Sequence, residues 1–335
     1  MAFLTMRHDF RAPASASVPA SVSAAEIYAT AIEQFRWADA HGFDFAVVSE
    51  HHGIDDGWLP APLTLAATVI GATPRIPVLV SALLAPLHDP VRLAEQIAVI
   101  DLASGGGRLW VVLGAGYRAA EFEMADVDMR RRGKLVEEYA RVMLDAWTGE
   151  PFEWRGRTIT VTPKPVTEPH PTLMIGGGTE PAARRAARLR LPMMPMNADP
   201  QLAQWYADEA AKTGFTEGFV MTPGGPTFIY VTEDPERAWS QLGPYLLYEA
   251  QTYESFQTPG QTSTPMVAAD TVADLQASPQ YLVGTPDEVV ARWDSLDPAS
   301  ALTFHPLAGG LPPDLSWPSL ELFASAVLGR IRTAQ

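Results

Sequence analysis

"FAVVSEHHG", residues Phe45 to Gly53, decides how the chain is to be read. Phe45 to Val48 is a short apolar run with the character of a buried strand. It stops at Ser49 and gives way at once to a carboxylate and two histidines, Glu50, His51 and His52. A strand that is apolar on both faces belongs to a parallel sheet covered by helices. Polar, titratable side chains at its carboxyl end then stand where such sheets carry their chemistry. Neighbouring strand residues point to opposite sides, so one histidine of the pair, not both, faces the working end.

The same punctuation recurs outward from this stretch. Phe3 to Arg7 reads as a strand. Ala24 to Ala40 has helical spacing and ends at His41-Gly42, a stop signal. Pro60 to Ala72 is apolar and helical, and Ile76 to Ala82 is a β-branched strand. Asp89-Pro90 opens a helix to Ser104, with Asp as cap and Pro in the first turn. A strand at Leu109 to Leu113, a long helix from about Asp128 to Thr148 and a hairpin at Phe152 to Val161 follow. Strand Thr172 to Ile175 then leads through glycines into helix Pro181 to Leu189. The later half predicts strands at Leu191 to Met194, Thr227 to Val231 and Ala301 to Phe304. Helices are predicted at Pro200 to Lys212, Asp234 to Ala250, Val283 to Trp293 and Ser316 to Ile331. Gln251 to Pro265, rich in Thr, Gln and Pro, reads as a mobile loop suited to closing over a site.

About eight strand–helix alternations predict an α/β fold. A closed (β/α)8 TIM barrel with insertions competes with a doubly wound open sheet. The strand count and the length of 335 residues favour the barrel, as one domain over 1–335. Glu50-His51-His52, Ser81-Ala82, Gly114-Ala115-Gly116 and Gly176-Gly177-Gly178 each fall at or just after the end of a predicted strand, at the mouth of such a barrel.

Composition narrows the function. The chain has no cysteine, which excludes disulfides, thiolate nucleophiles and Cys-rich metal sites and fits a reducing cytoplasm. A net charge of −15 argues against nucleic acid. No stretch reaches the length of a membrane helix, and the start lacks the basic and apolar blocks of a signal peptide. A cytoplasmic enzyme of small molecules is the expectation. A metal-dependent barrel hydrolase would need His-x-His on the first strand; here that strand offers His8-Asp9, and the pair at 51–52 is adjacent, so no metal site is expected. "GAGYRAA", Gly114 to Ala120, follows the fourth strand rather than a first βαβ unit, and reads as a turn or a backbone ledge against a ligand. "IGGGTEPAARRAARL", Ile175 to Leu189, places three glycines and Thr179 before a helix N-terminus. It is either a plain turn or a phosphate cradle. Arg130 to Arg132 reads as a solvated face, and Trp58 as a loop aromatic within reach of the site.

"GFDFAVVSEHHG" from Gly42, "VSALLAPLHDPVRLAEQIAVIDLASGGGRLWVVLGAGYRAAEF" from Val80 and "PHPTLMIGGGTEPAARRAARL" from Pro169 together resemble the luciferase-like monooxygenases. This is the bacterial-luciferase superfamily of flavin- and deazaflavin-dependent barrels. The resemblance covers Phe3 to Leu191, and "VGTPDEVVARW", Val283 to Trp293, is a phrase common in the family. It implies a two-component monooxygenase that takes reduced FMN from a separate flavin reductase and uses O2 on a small organic substrate, as a homodimer. It implies that His51 is catalytic, beside the cofactor's reactive ring, with Glu50 next to it. Ser81 and Ala82 would form a bulge under the ring, joined by a cis peptide bond. Gly114, Ala115 and Gly116 would line the cofactor, and Gly176, Gly177, Gly178 and Thr179 would hold its phosphate. The chain departs from the family at Ala115, where bacterial luciferase has an arginine for the flavin phosphate. It departs again near Tyr117, where the deazaflavin-dependent sugar-phosphate dehydrogenases carry a catalytic glutamate. F420-dependent hydride transfer is the alternative activity, and a non-catalytic flavin-binding homologue a further reading.

Overall fold

The computed structural model describes residues 2–256 and 267–333. The chain begins with β1 (Phe3–Arg7), α1 (Ala24–Ala40), β2 (Phe45–Val48), α2 (Pro62–Ala72), β3 (Val78–Leu84), α3 (Pro90–Ser104) and β4 (Leu109–Gly114). A short α4 (Ala119–Met124), the long α5 (Arg132–Trp147), the hairpin β5 (Phe152–Trp154) and β6 (Arg157–Ile159), β7 (Thr172–Gly177), α6 (Glu180–Arg188) and β8 (Met193–Pro195) follow. The remainder is α7 (Pro200–Thr213), β9 (Phe228–Val231), α8 (Pro235–Ser255), α9 (Val272–Ala277), β10 (Tyr281–Gly284), α10 (Pro286–Asp294), β11 (Ala301–Phe304), α11 (Pro313–Leu322) and α12 (Leu328–Thr333). These elements divide between two compact units. One contains Met1–Val47, Ile54–Leu59 and Pro223–Gln335, the other Val48–Gly53 and Pro60–Thr222.

In the first unit β1 is the organising strand. It runs parallel to β11, with Phe3 opposite Ala301 and Met6 opposite Phe304, and parallel to β2, with Thr5 opposite Phe45. The far edge of β11 is covered too: the Ala301 N–H donates to Gly224 O (2.9 Å) and the Thr303 N–H to Pro226 O (3.3 Å). β9, which follows, pairs in parallel with β10. Phe43, Phe304 and Phe323 form a ring cluster, with Phe304 and Phe323 centroids 4.6 Å apart. A second core gathers around α8, through Leu242, Tyr245 and Leu246 against Phe228, Leu275 and Leu311.

The second unit is built on β3, β4, β7 and β8, all parallel. The register of β3 on β4 shifts between Ser81 and Leu83, and the Ser81–Ala82 peptide bond is cis, as are Thr162–Pro163 and Glu168–Pro169. β8 meets Val220 through a single bridge at Met193 on its other side.

An α/β fold of parallel strands is therefore present, while hydrogen bonds among the described residues do not complete the ring of a closed barrel. Local differences have local causes. The predicted loop from Gln251 is helical up to Ser255, because Tyr253 is buried edge-on against Trp58, 4.7 Å away, and draws the helix on. Its continuation, 257–265, lies outside the described residues. The helix expected from Val283 starts at Pro286, where Thr285 and Glu288 form a capping box, and Val283 belongs instead to β10. The basic run opens α5 only from Arg132, after a 3-10 turn capped by Asp128.

Gly225 tests the edge of β11. Its φ is +90°, and a Cβ there would lie 2.1 Å from Ala301 O. Gly225→Ala should cost about 2 kcal/mol or more in urea denaturation, since both the backbone region and the close approach exclude a side chain. An unchanged midpoint would show that residues 224–226 do not lie against β11.

Candidate functional site

The Glu50-His51-His52 stretch belongs to the second unit, and Glu50 is its buried anchor, 1% exposed. Oε2 accepts the Leu84 N–H at the end of β3 (2.6 Å). Oε1 lies 2.8 Å from His52 Nε2 and 2.6 Å from His88 Nε2. Burial pushes the Glu50 carboxyl up, but the hydrogen bonds from His52, His88 and Leu84 outweigh it and hold the group down at about 2. The carboxylate in turn raises the pKa of His52, chiefly through their hydrogen bond.

The two histidines lie beyond β2, which ends at Val48, and their rings find different acids. His51 turns to α4, where its Nδ1 lies 2.9 Å from Glu121 Oε1. The same oxygen accepts the His52 N–H (3.1 Å) and an Arg118 Nη1–H (3.1 Å). Arg118 Nη1 also donates to the His52 carbonyl, 2.8 Å away. Burial raises Glu121, and the hydrogen bond and charge of His51, the His52 N–H and Arg118 together bring it below the ordinary range. The Tyr117 ring stands edge-on to His51, 5.8 Å between centroids.

Glycines mark the ends of β4 and β7, and protein atoms already occupy the space that their side chains would need. A Cβ on Gly114 would sit 2.8 Å from Ala82 Cβ. One on Gly176 would lie 3.1 Å from Val112 Cγ1 and 3.3 Å from Leu113 O. Gly177 has φ +127°, where a side chain would meet Ala182 at 2.8 Å, and Gly178 packs against Asn197. Thr179 caps α6 with its backbone alone: its side chain makes no cap bond, while its carbonyl accepts the Ala182 and Ala183 N–H groups at 3.0 and 3.1 Å. Gly116, at φ +72°, lies against the Phe122 ring, and Ala115 is half-buried between the two glycines.

Glu50, His52 and His88 bring their ligand atoms within 4.8 Å of one another, a grouping able to hold a metal ion. The Oε1–Nε2 distances of 2.8 and 2.6 Å are hydrogen-bond lengths. Two ligands each about 2.0–2.1 Å from a tetrahedral zinc would stand roughly 3.3 Å apart, so the present spacing is that of a protonated network.

The sequence singles out Glu50, His51, Ser81, Ala82, Gly114 to Gly116 and Gly176 to Thr179, and all of these fall in the second unit. His88, Arg118 and Glu121 carry as much of the geometry and escape the sequence reading. His88-Asp89-Pro90 follows a strand end, and Arg118 and Glu121 lie in the loop and helix after β4; strand-end position was the available signal. Trp58 is buried against Arg11 in the first unit. That unit holds a separate ionic network. Arg7 pairs with Asp9 (2.8 Å) and Arg11 Nε with Asp56 (2.6 Å), while His305 stands between Glu249 (3.4 Å) and Asp9 (3.7 Å).

A profile of the luciferase-like monooxygenases matches residues 9–299, and the chain belongs to that family. The FMNH2-dependent dimethylsulfone monooxygenase of Pseudomonas putida is 27% identical over 167 residues, 48% of this chain and 42% of that protein. The oxygenase component of the flavin-dependent trigonelline monooxygenase of Acinetobacter baylyi is 25% identical over 157 residues, 45% of this chain and 43% of that one. In both cases the aligned stretch is less than half the curated relative's length. Among solved structures, monooxygenase RslO1 from Streptomyces bottropensis superposes with a TM-score of 0.77 at 23% identity, covering 97% of this chain and 99% of that chain. Among the described residues no helix is long and apolar enough to cross a membrane.

The depressed Glu50 carboxyl makes stability depend on acid in a defined direction. Its contribution is whole above the ordinary carboxyl range near 4.5 and is lost as pH falls through about 2. The size is about 3 kcal/mol. Urea denaturation of wild type and Glu50→Gln should show a gap at pH 7 that closes on acidification towards pH 2. A gap independent of pH would mean that the carboxylate is not held by the histidines.

Proposed function

We propose that the protein is the oxygenase of a two-component flavin monooxygenase, taking reduced FMN from a separate reductase and using O2 to oxidise a small organic substrate. The observation that carries this reading is a buried histidine–carboxylate pair in the same unit as the glycine-rich ends of β4 and β7, in a chain of this family. The residues fit such a cofactor. Gly114 and Gly176 lack a Cβ because Ala82, Val112 and Leu113 already fill that space, so the ends of β3, β4 and β7 pack backbone to backbone into a flat seat for a planar ring, and the Gly176-Gly177-Gly178-Thr179 turn offers a helix N-terminus to a phosphate. Reduced flavin, when bound, supplies the electrons that activate oxygen.

The chain's own residues have simpler tasks. Ser81 and Ala82 shape the seat, with Gly114, Ala115 and Gly116 beside it. Gly176 to Thr179 take the phosphate. His51 accepts or donates a proton next to the reacting ring, and Glu50 fixes the strand end on which His51 sits. The finer architecture belongs to the same proposal: one closed eight-stranded barrel over 1–335, supported by the parallel strands of both units and by the RslO1 likeness. A homodimer in the cytoplasm completes it.

Anaerobic titration of the pure protein with reduced FMN and with reduced F420 tests the reading. Tight binding of reduced FMN and its oxidation on admitting air with a substrate support it; exclusive binding of reduced F420 would replace it by hydride transfer without oxygen. Thr179→Asp, at an extended and exposed position whose side chain makes no cap bond, should weaken cofactor binding by setting a carboxylate beside the phosphate, and unchanged affinity would remove that turn from the site. His51→Ala should lower kcat by roughly 100-fold or more with the fold intact. Wild-type turnover in this variant would take His51 out of the reaction.

A further inference from the structure

We propose that Glu121 is the positioning residue for His51: it locks the imidazole with its proton on Nδ1 and its lone pair on Nε2, so that His51 enters the reaction through Nε2. The inference rests on the reading of His51 given above, but its geometry stands by itself.

Glu121 has a side chain with no exposure to solvent, and its Oε1 lies 2.9 Å from His51 Nδ1. An ionised carboxylate has no proton to give, so the hydrogen in this bond is carried by Nδ1. A neutral imidazole then keeps its acceptor on Nε2. In water the balance is the reverse, because isolated histidine favours the proton on Nε2. The protein therefore has to impose the Nδ1–H form, and Glu121 is the acceptor that does so.

The carboxylate is itself tied to what it orients. Oε1 also takes the backbone N–H of His52 and a hydrogen of Arg118, and Arg118 reaches on to the His52 carbonyl. A shift of α4 would break these bonds together, so His51 is held at one distance and one rotation. Glu121 Oε2 makes no hydrogen bond to any described residue, and the whole hydrogen-bonding function of the side chain falls on the oxygen facing His51. His52 has the opposite form. Its Nε2 faces the Glu50 carboxylate, so its proton sits on Nε2 and its lone pair on Nδ1. Two neighbouring histidines are thus held as different tautomers by different acids. This division separates a working imidazole from a structural one.

The test reads the tautomer directly, without flavin or turnover. The full-length protein is labelled with 15N-histidine, and two-bond 1H–15N correlations are assigned with His51→Asn. Wild-type neutral His51 should give the Nδ1–H pattern and His52 the Nε2–H pattern. Glu121→Gln should keep the Nδ1–H form, because the His52 N–H and Arg118 demand a carbonyl oxygen where Oε1 now lies. Glu121→Leu should return His51 to mostly Nε2–H while the His52 signals stay in place. A wild-type His51 found as Nε2–H, or a Leu variant that keeps the Nδ1–H form, overturns the proposal. If the Leu variant does not fold, the wild-type spectrum still decides. Turnover supplies the second arm. Glu121→Leu should lower kcat by roughly tenfold or more with little change in KM, and adding it to His51→Ala should cost nothing further. If His51→Ala is itself silent, the assignment of His51 fails while the tautomer result stands, so the two failures are told apart.

Discussion

The buried Glu50 carboxylate is the constraint on which the site depends. A carboxylate removed from water is stable only when its lone pairs are met. Here the donors come from the Leu84 N–H at the end of β3 and from His88, two residues before α3 begins. His52, two residues along the same stretch, supplies the third. One anion thus ties the residues after β2 to the residues after β3, where the strand register shifts. It also decides the neighbouring histidine by elimination. With the His52 ring committed to Glu50, the His51 ring is left to Glu121. The polarity of the whole pair follows from a single desolvated charge.

The ionic network of the first unit shows a different solution to the same difficulty. Arg11 is buried, and burial alone would lower its pKa; the charges of Glu249 and Asp56 reverse the effect. Asp56 takes the Nε hydrogen, while Nη1 and Nη2 have no hydrogen-bond partner among the described residues. Their compensation is the faces of Trp58 and Tyr248, 4.7 and 5.0 Å from the guanidinium carbon. Glu249 is buried beside His305, Arg11 and Arg7, which together hold its carboxyl well below the ordinary range against the opposing effect of burial. Glu50 is met by hydrogen bonds, Arg11 mainly by aromatic faces and nearby charge.

How much of this was legible follows from where the signal lies. The strand ends were, because an apolar run that breaks into Glu50-His51-His52 or Gly176-Gly177-Gly178 changes character within one residue. The separate partners of His51 and His52 were not written in a pleat, because β2 ends at Val48 and both residues lie beyond it. The cis bond at Ser81–Ala82 was legible through the family resemblance alone, since neither residue has a propensity for it. Glu121 was not, because α4 is six residues long, too short to show a helical period, and its partner lies seventy positions away in the chain. The end of α8 reads as loop because Gln251, Thr252, Glu254 and Ser255 are polar, and its one buried anchor, Tyr253, gives no periodic cue. Closure of the barrel is a property of pairings between distant strands, which no local pattern encodes.

The interleaving of the two units in the chain has a consequence for how the protein is made. Residues 48–53 and 60–222 complete one unit, so it can close on itself while the ribosome is still working. The other unit cannot. β1 leaves the tunnel well before the rest of its unit, since one of its two neighbours, β11, is encoded nearly three hundred residues later. At a synthesis rate of about 5–20 residues per second, that wait is roughly 15–60 s. Throughout it, β1 can pair with β2 but shows its other edge to the cell, and an open strand edge is a template for foreign strands. Of the strands described, the earliest in the chain is among the last to be completed, and its exposed edge lasts as long as that interval.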